Sequence, residues 1–202
     1  MLRVLVACEF SGTVRDAFIR RGHDAVSVDL LPSESDFGPH IQGDALEHLD
    51  RDRFDMLIAH PPCTFLANSG VRWLYSSPGE RDEKRWSRMR EAAAFFRKFL
   101  DCEIPLICVE NPVMHGHAAK LIGQRQTQSV QPWQFGDGEV KRTCLWLDGL
   151  PPLLPTDVVE GREARVWRMP PGPERQKERS RFFVGMATAM AAQWGEVWRD
   201  GL

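Results

Sequence analysis

Several features are missing from this chain, and each absence removes a class of protein. No apolar run approaches the roughly 20 residues needed to span a bilayer, and the N-terminus enters a strand-type run without a charged and then apolar leader. A cytoplasmic protein with no membrane partner is the expectation. No Cys-x-x-Cys pair occurs: Cys8, Cys63, Cys102, Cys108 and Cys144 are scattered and odd in number, which argues against a disulfide framework and against a zinc site. Strong net charge is lacking too. The 26 Lys and Arg against 28 Asp and Glu leave a formal charge of -2, whereas a nucleic-acid domain is often markedly basic. There are no internal repeats and no low-complexity tract beyond the Pro170-Pro171-Gly172-Pro173 turn. What remains is 202 residues, 43% hydrophobic, enough for one well-buried domain over 1–202 and hardly more.

The chain is organised around His60-Pro61-Pro62-Cys63. The apolar run Asp55 to Ala59 is of strand type, and the prolines after it cannot continue a ladder, so a thiol stands at a strand end. Pro105 to Val109 is a second such run, and it delivers Glu110 and Asn111 before Pro112 closes it. In an open α/β sheet, ligands collect outside the carboxyl ends of the strands, so thiol and acid stand where chemistry is usual.

Upstream, Leu2 to Cys8 forms a strand, Glu9-Phe10-Ser11-Gly12-Thr13 a turn, and Val14, Ala17 and Phe18 a helix up to Gly22. Ala25 to Asp29 is a second strand ending on an acid, as a ribose-binding Rossmann-type site requires. Leu30 to Pro39 is a loop, and His40 to Ala45 a short third strand delivering Asp44. Thr64 to Trp73 is rich in small and polar residues and reads as a mobile loop. Trp86, Met89, Ala93, Phe96 and Leu100 form the apolar stripe of a helix that leaves its arginines outside, and Phe183, Ala187, Met190 and Trp194 mark a C-terminal helix. Basic residues crowd 81–90 and 162–181. His115 and His117 invite a metal reading, but no third ligand lies nearby in sequence.

Pro-Pro-Cys at 61–63 and Glu-Asn-Pro at 110–112 resemble the catalytic signatures of the DNA cytosine-5 methyltransferases, whose usual forms are Pro-Cys and Glu-Asn-Val. The resemblance implies a Rossmann-like S-adenosylmethionine-dependent methyltransferase fold, a mostly parallel sheet flanked by helices. It implies methyl transfer to carbon 5 of a flipped cytosine in DNA through a covalent cysteine adduct, with S-adenosylmethionine as cofactor and no metal. Cys63 would be the nucleophile and Glu110 the acid, with Pro62, Asn111 and Arg142 completing the catalytic set. Glu9, Phe10, Ser11 and Gly12 resemble the cofactor-binding loop, which typically carries more glycines; Asp29, Leu30, Asp44, Ala45, His60 and Pro61 would complete the cofactor site, Asp44 at the adenine amino group.

The chain also departs from the pattern. Thr64 and Ala67 replace the usual glutamine and serine of the loop that closes over the flipped base, while Gly70 keeps that loop's glycine; Asn68, Ser69 and Arg72 are candidates to fill the emptied stack. Lys141-Arg142 resembles the family's Gln-x-Arg-x-Arg only at Arg142, and Glu178-Arg179-Ser180-Arg181 resembles the last motif in position more than in letters. The target-recognition domain that normally follows is replaced by a short, proline-containing basic loop over 148–180, whose Arg165 and Arg168, together with Lys141 before it, would hold phosphates of duplex or single-stranded DNA. Specificity is then expected to be short or loose unless a recognition partner protein supplies it. Two alternatives stand beside this reading: the same chemistry on free deoxycytidine nucleotides or RNA, and a catalytically inactive nucleic-acid-binding module. Amino-methyltransferases, with Asp/Asn-Pro-Pro-aromatic, fit less well because His60 and Cys63 occupy the outer positions.

Overall fold

Four-to-seven-residue runs of Val, Leu, Ile and Ala, apolar on both sides, can be satisfied only in the middle of a sheet covered on both faces. The computed structural model, which describes residues 1–168, 170, 172, 179 and 181–197, places them there. In chain order the elements are β1 (Arg3–Ala7), α1 (Thr13–Arg20), β2 (Asp24–Asp29), β3 (His40–Gln42), β4 (Met56–Ala59), β5 (Tyr75–Ser77), β6 (Glu80–Arg81), α2 (Glu83–Leu100), β7 (Leu106–Pro112), α3 (Gly116–Ile122), β8 (Gln128–Val130), β9 (Thr143–Asp148), α4 (Arg165–Arg168) and α5 (Val184–Trp194). The main sheet has seven strands in the order β3-β2-β1-β4-β7-β9-β8, with β5 and β6 forming a separate hairpin. The first five run parallel and β9 runs antiparallel to both its neighbours.

Strand alternation divides the core. Val4 and Val6 of β1 point into a cluster with Phe18 of α1 and Met186, Met190 and Trp194 of α5, whereas Leu5 and Ala7 join Ala93, Phe96 and Phe99 of α2 and Ala118 and Ile122 of α3. Trp194 is fully buried, and its indole N–H donates to the Pro151 carbonyl at 3.0 Å, so the C-terminal helix is pinned by one large aromatic whose polar atom is satisfied. Asp82 caps α2 by accepting the Arg85 N–H.

At three places the structure differs from the sequence reading. The Thr64–Trp73 segment is a built structure rather than an open loop: Leu66 and Ala67 are buried, Ala67 bridges to Met114, and 68–74 form a 3-10 helix. β3 ends at Gln42, and Asp44 is an exposed cap whose carboxylate accepts the Leu46 N–H. The described part of 148–168 is not free either; Leu150 and Leu153 enter the core, bridges join Asp157 to Phe135 and Glu163 to Glu139, and Arg162 lies 3.7 Å above the Trp133 ring centre. Arg165 sits 3.5 Å from the buried Glu139, while Arg168 is exposed. Pro171, Pro173, Arg175, Lys177, Glu178 and Ser180 lie outside the described residues. Among the described residues no helix is long and apolar enough to cross a membrane.

Candidate active site

Strand order reverses between β1 and β4, because β2 and β3 continue to one side and β7, β9 and β8 to the other. The crevice at the carboxyl ends of β1 and β4 is therefore where the fold offers a ligand site. Three chain segments meet there. The β1 end delivers Cys8 to Gly12, the β4 end delivers His60 to Cys63, and β7, in register with β4 through Ala59 and Val109, delivers Glu110 and Asn111 one and two residues later.

The His60-Pro61-Pro62-Cys63 turn is anchored on both sides. His60 N–H donates to Ala7 O at 2.9 Å, and Asn111 Nδ2 donates to Pro61 O at 2.8 Å, tying the turn to β1 and β7. The Cys63 carbonyl accepts the N–H groups of Leu66 and Ala67 at 3.0 and 2.9 Å, which turns the chain sharply after the thiol. His115 then stitches that loop down. Its Nδ1 accepts Ala118 N–H at the start of α3 and its Nε2 lies 3.1 Å from Phe65 O, while His117 meets the Tyr75 hydroxyl at 3.3 Å. Both imidazoles are thus occupied by protein groups, and among the described residues no cluster of three or more His, Cys, Asp or Glu is arranged to hold a metal.

Charge at the thiol follows from burial and three neighbours. Burial and the nearby Glu110 carboxylate push the Cys63 thiol above its ordinary pKa, while Arg179 and Lys141 pull it down. Glu110 is itself deeply buried, and burial pushes its carboxyl up; the His60 imidazole, with Nδ1 3.3 Å from Oε2, and Lys141 outweigh this and hold it below the usual carboxylate range. Lys141 is fixed by donating to Arg179 O at 2.8 Å. Arg142 points elsewhere: it is exposed and approaches Ser129 on β8, and it is not among the charges that act on Cys63. Of the adjacent Lys141-Arg142 pair, Lys141 is therefore the charge that acts at the thiol. The alternation of a strand entry, which sends adjacent side chains to opposite faces, was the available signal.

The cofactor candidates divide similarly. Glu9 is buried and spent on the protein, its carboxylate accepting Val14 N–H at 2.6 Å and Arg15 N–H at 3.2 Å at the start of α1. Phe10 is buried, and Ser11 Oγ bonds back to Glu9 and accepts Thr13 N–H. Gly12 has φ of +73°, and a Cβ there would fall 2.5 Å from a guanidinium nitrogen of Arg15 and 2.9 Å from Ser35 Cβ. Internal packing alone requires a glycine at that position. Asp29 Oδ1 accepts Leu31 N–H at 2.9 Å, leaving its second carboxylate oxygen open among the described residues. Leu30 is exposed, Ala45 and Pro61 are buried and Pro62 is exposed. Asp29 and Asp44 act together on Cys8: burial first, then these two carboxylates, push its thiol up to about 12. Asp29 at the end of β2 and Asp44 in the cap after β3 thus both act on the β1 end.

Three buried side-chain polar atoms lack a hydrogen-bond partner among the described residues, and two of them, His60 Nε2 and Asn111 Oδ1, belong to this site. Buried orphans are uncommon, and a polar ligand is one way they are met. Outside the crevice lie Asn68, Ser69 and Arg72, all exposed on the loop after Cys63. Next to them is a surface that composition alone did not single out. Arg72 covers the Trp73 ring at 4.4 Å, Arg81 covers Trp86 at 4.3 Å, and Arg85 and Arg88 lie 5.1 and 5.8 Å from the Phe65 centre, none of the four with a carboxylate partner among the described residues.

Among solved structures the chain is similar to a prophage-encoded DNA modification methyltransferase candidate of E. coli, with a TM-score of 0.51 at 15% identity over 85% of this chain and 56% of that one. The fold is a Rossmann-like methyltransferase fold. The methyltransferase EhMeth of Entamoeba histolytica gives 0.46 at 11% identity over 79% and 58%, and the Dnmt2 methyltransferase of S. pombe gives 0.40 at 13% over 83% and 53%. The chain spans little more than half the length of each. No family model and no curated protein matches the sequence.

Proposed function

We propose that this chain transfers a methyl group from S-adenosylmethionine to carbon 5 of cytosine in DNA, with Cys63 as nucleophile and Glu110 as proton carrier. The observation that carries the reading is the electrostatically coupled pair of a thiol and a buried carboxylate at the ends of adjacent parallel strands. Carbon 5 of cytosine is a poor nucleophile until something adds to carbon 6. Cys63 rests as a thiol because burial and Glu110 disfavour its charge, and Glu110 rests as a carboxylate. The two states complement each other. As sulfur bonds to carbon 6, the thiol proton passes to Glu110 and on to ring nitrogen N3, and the displaced π electrons make an enamine with its nucleophilic end at carbon 5. After methylation the carbon-5 proton leaves to water, the sulfur–carbon bond breaks, and the N3 proton returns by the same path. Lys141 and Arg179 stabilise the thiolate in passing.

The residues suit the cofactor. The carboxylates that converge on the β1 end create a negative field fit for a sulfonium cation, and the open oxygen of Asp29 suits a ribose hydroxyl, with Asp44 and Leu30 beside it. When bound, S-adenosylmethionine supplies an electrophilic methyl group. A base in a duplex must be flipped out to reach Cys63, at a cost of a few kcal/mol.

Arg72, Arg81, Arg85 and Arg88, held on aromatic rings and without a carboxylate partner among the described residues, favour a polynucleotide over a free nucleotide, because a single phosphate needs no such extended surface. Asn68 and Ser69 lie on the same loop as Arg72; the exposed Arg168 is a separate phosphate-binding candidate, Arg165, engaged with Glu139, a weaker one, and Lys141 acts on the thiol instead. The interval between β9 and α5 covers only 149–183, too short for a recognition domain of its own, so loose sequence specificity follows unless a partner protein adds it. Incubation with labelled S-adenosylmethionine and, separately, duplex DNA, single-stranded DNA, RNA and deoxycytidine monophosphate, followed by nucleoside analysis, tests the proposal. Label in 5-methyldeoxycytidine from DNA is the expected result. Label confined to the free nucleotide or to RNA assigns the same site to the alternative substrate, and label in an amino-methylated base removes the Cys63 chemistry.

A further inference from the structure

His60 is the buried titratable group that the scheme above leaves without a task. Its side chain is 8% exposed, and it stands at the junction of the two chain segments that carry the site. Nδ1 lies 3.3 Å from Glu110 Oε2. On the opposite side of the crevice the Glu9 carboxylate, at the end of β1, also feels the imidazole. The Phe182 ring, just before α5, covers it at 4.8 Å between centres, and Lys141 approaches Glu110 from the entry to β9. Nε2 is buried and has no hydrogen-bond partner among the described residues.

We infer that His60 is a positioning residue for Glu110: its Nδ1–H pins Oε2 and keeps the carboxylate ionised at rest, so that Oε1 is left to relay a proton between Cys63 and the base. The hydrogen-bond roles follow from the partner. An ionised carboxylate only accepts, so Nδ1 must carry the proton. The unpartnered Nε2 in a dry site suits a polar group brought by a ligand. The carboxylate is locked by this contact in rotation and in charge, as happens when an outer partner orients a functional group. The His60 N–H donates to Ala7 O at the end of β1 while its ring meets Glu110 at the end of β7, so one residue joins the two strand ends.

The pairing itself is independent of the activity proposed above; only its consequence for rate rests on that reading. Burial drives the Glu110 carboxyl up and His60 is the leading influence that brings it down, so removing the ring has a signed effect. Carboxyl ¹³C NMR titration of the full chain, with Glu110→Gln identifying the signal, measures it. In His60→Ala the Glu110 midpoint moves up by about one pH unit or more, as loss of a favourable neighbour at hydrogen-bond range implies. In His60→Asn, whose side-chain amide keeps a donor near the Nδ1 position without a titrating ring, the midpoint stays closer to wild type. The acid limb of the kcat/KM profile moves up with the midpoint in the alanine variant, with a fall of about 10–100-fold at neutral pH, partly restored in the asparagine variant. An unmoved Glu110 midpoint in both variants overturns the inference. A midpoint that moves in a protein that methylates nothing leaves the pairing intact and removes the proposed function instead. Should the alanine variant fail to fold, the asparagine variant with its donor intact decides, since a Glu110 midpoint moved up there by about a full pH unit or more contradicts the role assigned to the Nδ1 donor.

Discussion

Replacing Glu110 by glutamine separates the acidity of the Cys63 thiol from its usefulness. The carboxylate is a negative charge beside a group that must itself become negative, and with burial it pushes the thiol pKa up. Glutamine keeps the shape and removes the charge. A like charge at short range raises such a pKa by about one unit or more, so its removal should multiply the thiolate fraction at a fixed pH below the pKa about tenfold, equivalent to ~1.4 kcal/mol. The assay is the pH dependence of iodoacetamide labelling at Cys63, read by peptide mass spectrometry, with the half-buried Cys8 and Cys102 as internal references. The expected result is a rate profile displaced to lower pH at Cys63 and unchanged at Cys102. Methyl transfer should fall by at least about 100-fold in the same protein, because N3 loses its proton carrier. A more reactive thiol in a less active enzyme would be the signature of the relay. An unchanged labelling profile would refute the reasoning, since the carboxylate would then not face the sulfur.

Asp29→Ala should weaken S-adenosylmethionine binding about tenfold or more by calorimetry, as loss of a charge-assisted hydrogen bond worth roughly 1.5–3 kcal/mol implies; unchanged affinity would move the cofactor elsewhere. The Arg85→Ala/Arg88→Ala double variant should bind oligonucleotides with a log–log salt dependence flattened by about two while its thermal stability is retained, and an unaltered slope would take the arginine surface out of the interface. Asp55, held below its ordinary value near 3.8 by the Arg3 guanidinium at 2.6 Å, contributes stability that is present above the unfolded-state pKa and is lost as pH falls through the lower folded-state one. Asp55→Asn should therefore lower Tm at pH 7 and converge with wild type as the pH falls through the depressed folded-state pKa.

How far the sequence could lead depended on the range of the interactions involved. β1, β4 and β7 were legible because an uninterrupted apolar run bounded by proline has few other solutions, and the stripe of α2 because its period is local. Thiol and acid could be paired from the letters at 60–63 and 110–112 because parallel strands bring equivalent ends together. The identity of the cation beside the thiol was not legible, since Lys141 and Arg142 are adjacent and only the backbone entering β9 decides which faces inward. Nor was the second life of Glu9, whose carboxylate closes the first turn of α1, or the ordering of Thr64–Trp73 by His115, a contact made across 50 residues to Phe65 O. Short polar strands such as β8 carry too few residues for a period to register.

Covalent trapping tests the central claim most directly. An oligonucleotide carrying 5-fluorocytosine should, with S-adenosylmethionine present, form an adduct through Cys63 that survives denaturation, because fluorine cannot leave carbon 5 as the proton does. Cys63→Ala should form none while still binding the cofactor. Mass spectrometry that finds the label on Cys63 in wild type is the result this account predicts; methyl transfer by the alanine variant, or an adduct on another residue, would contradict it.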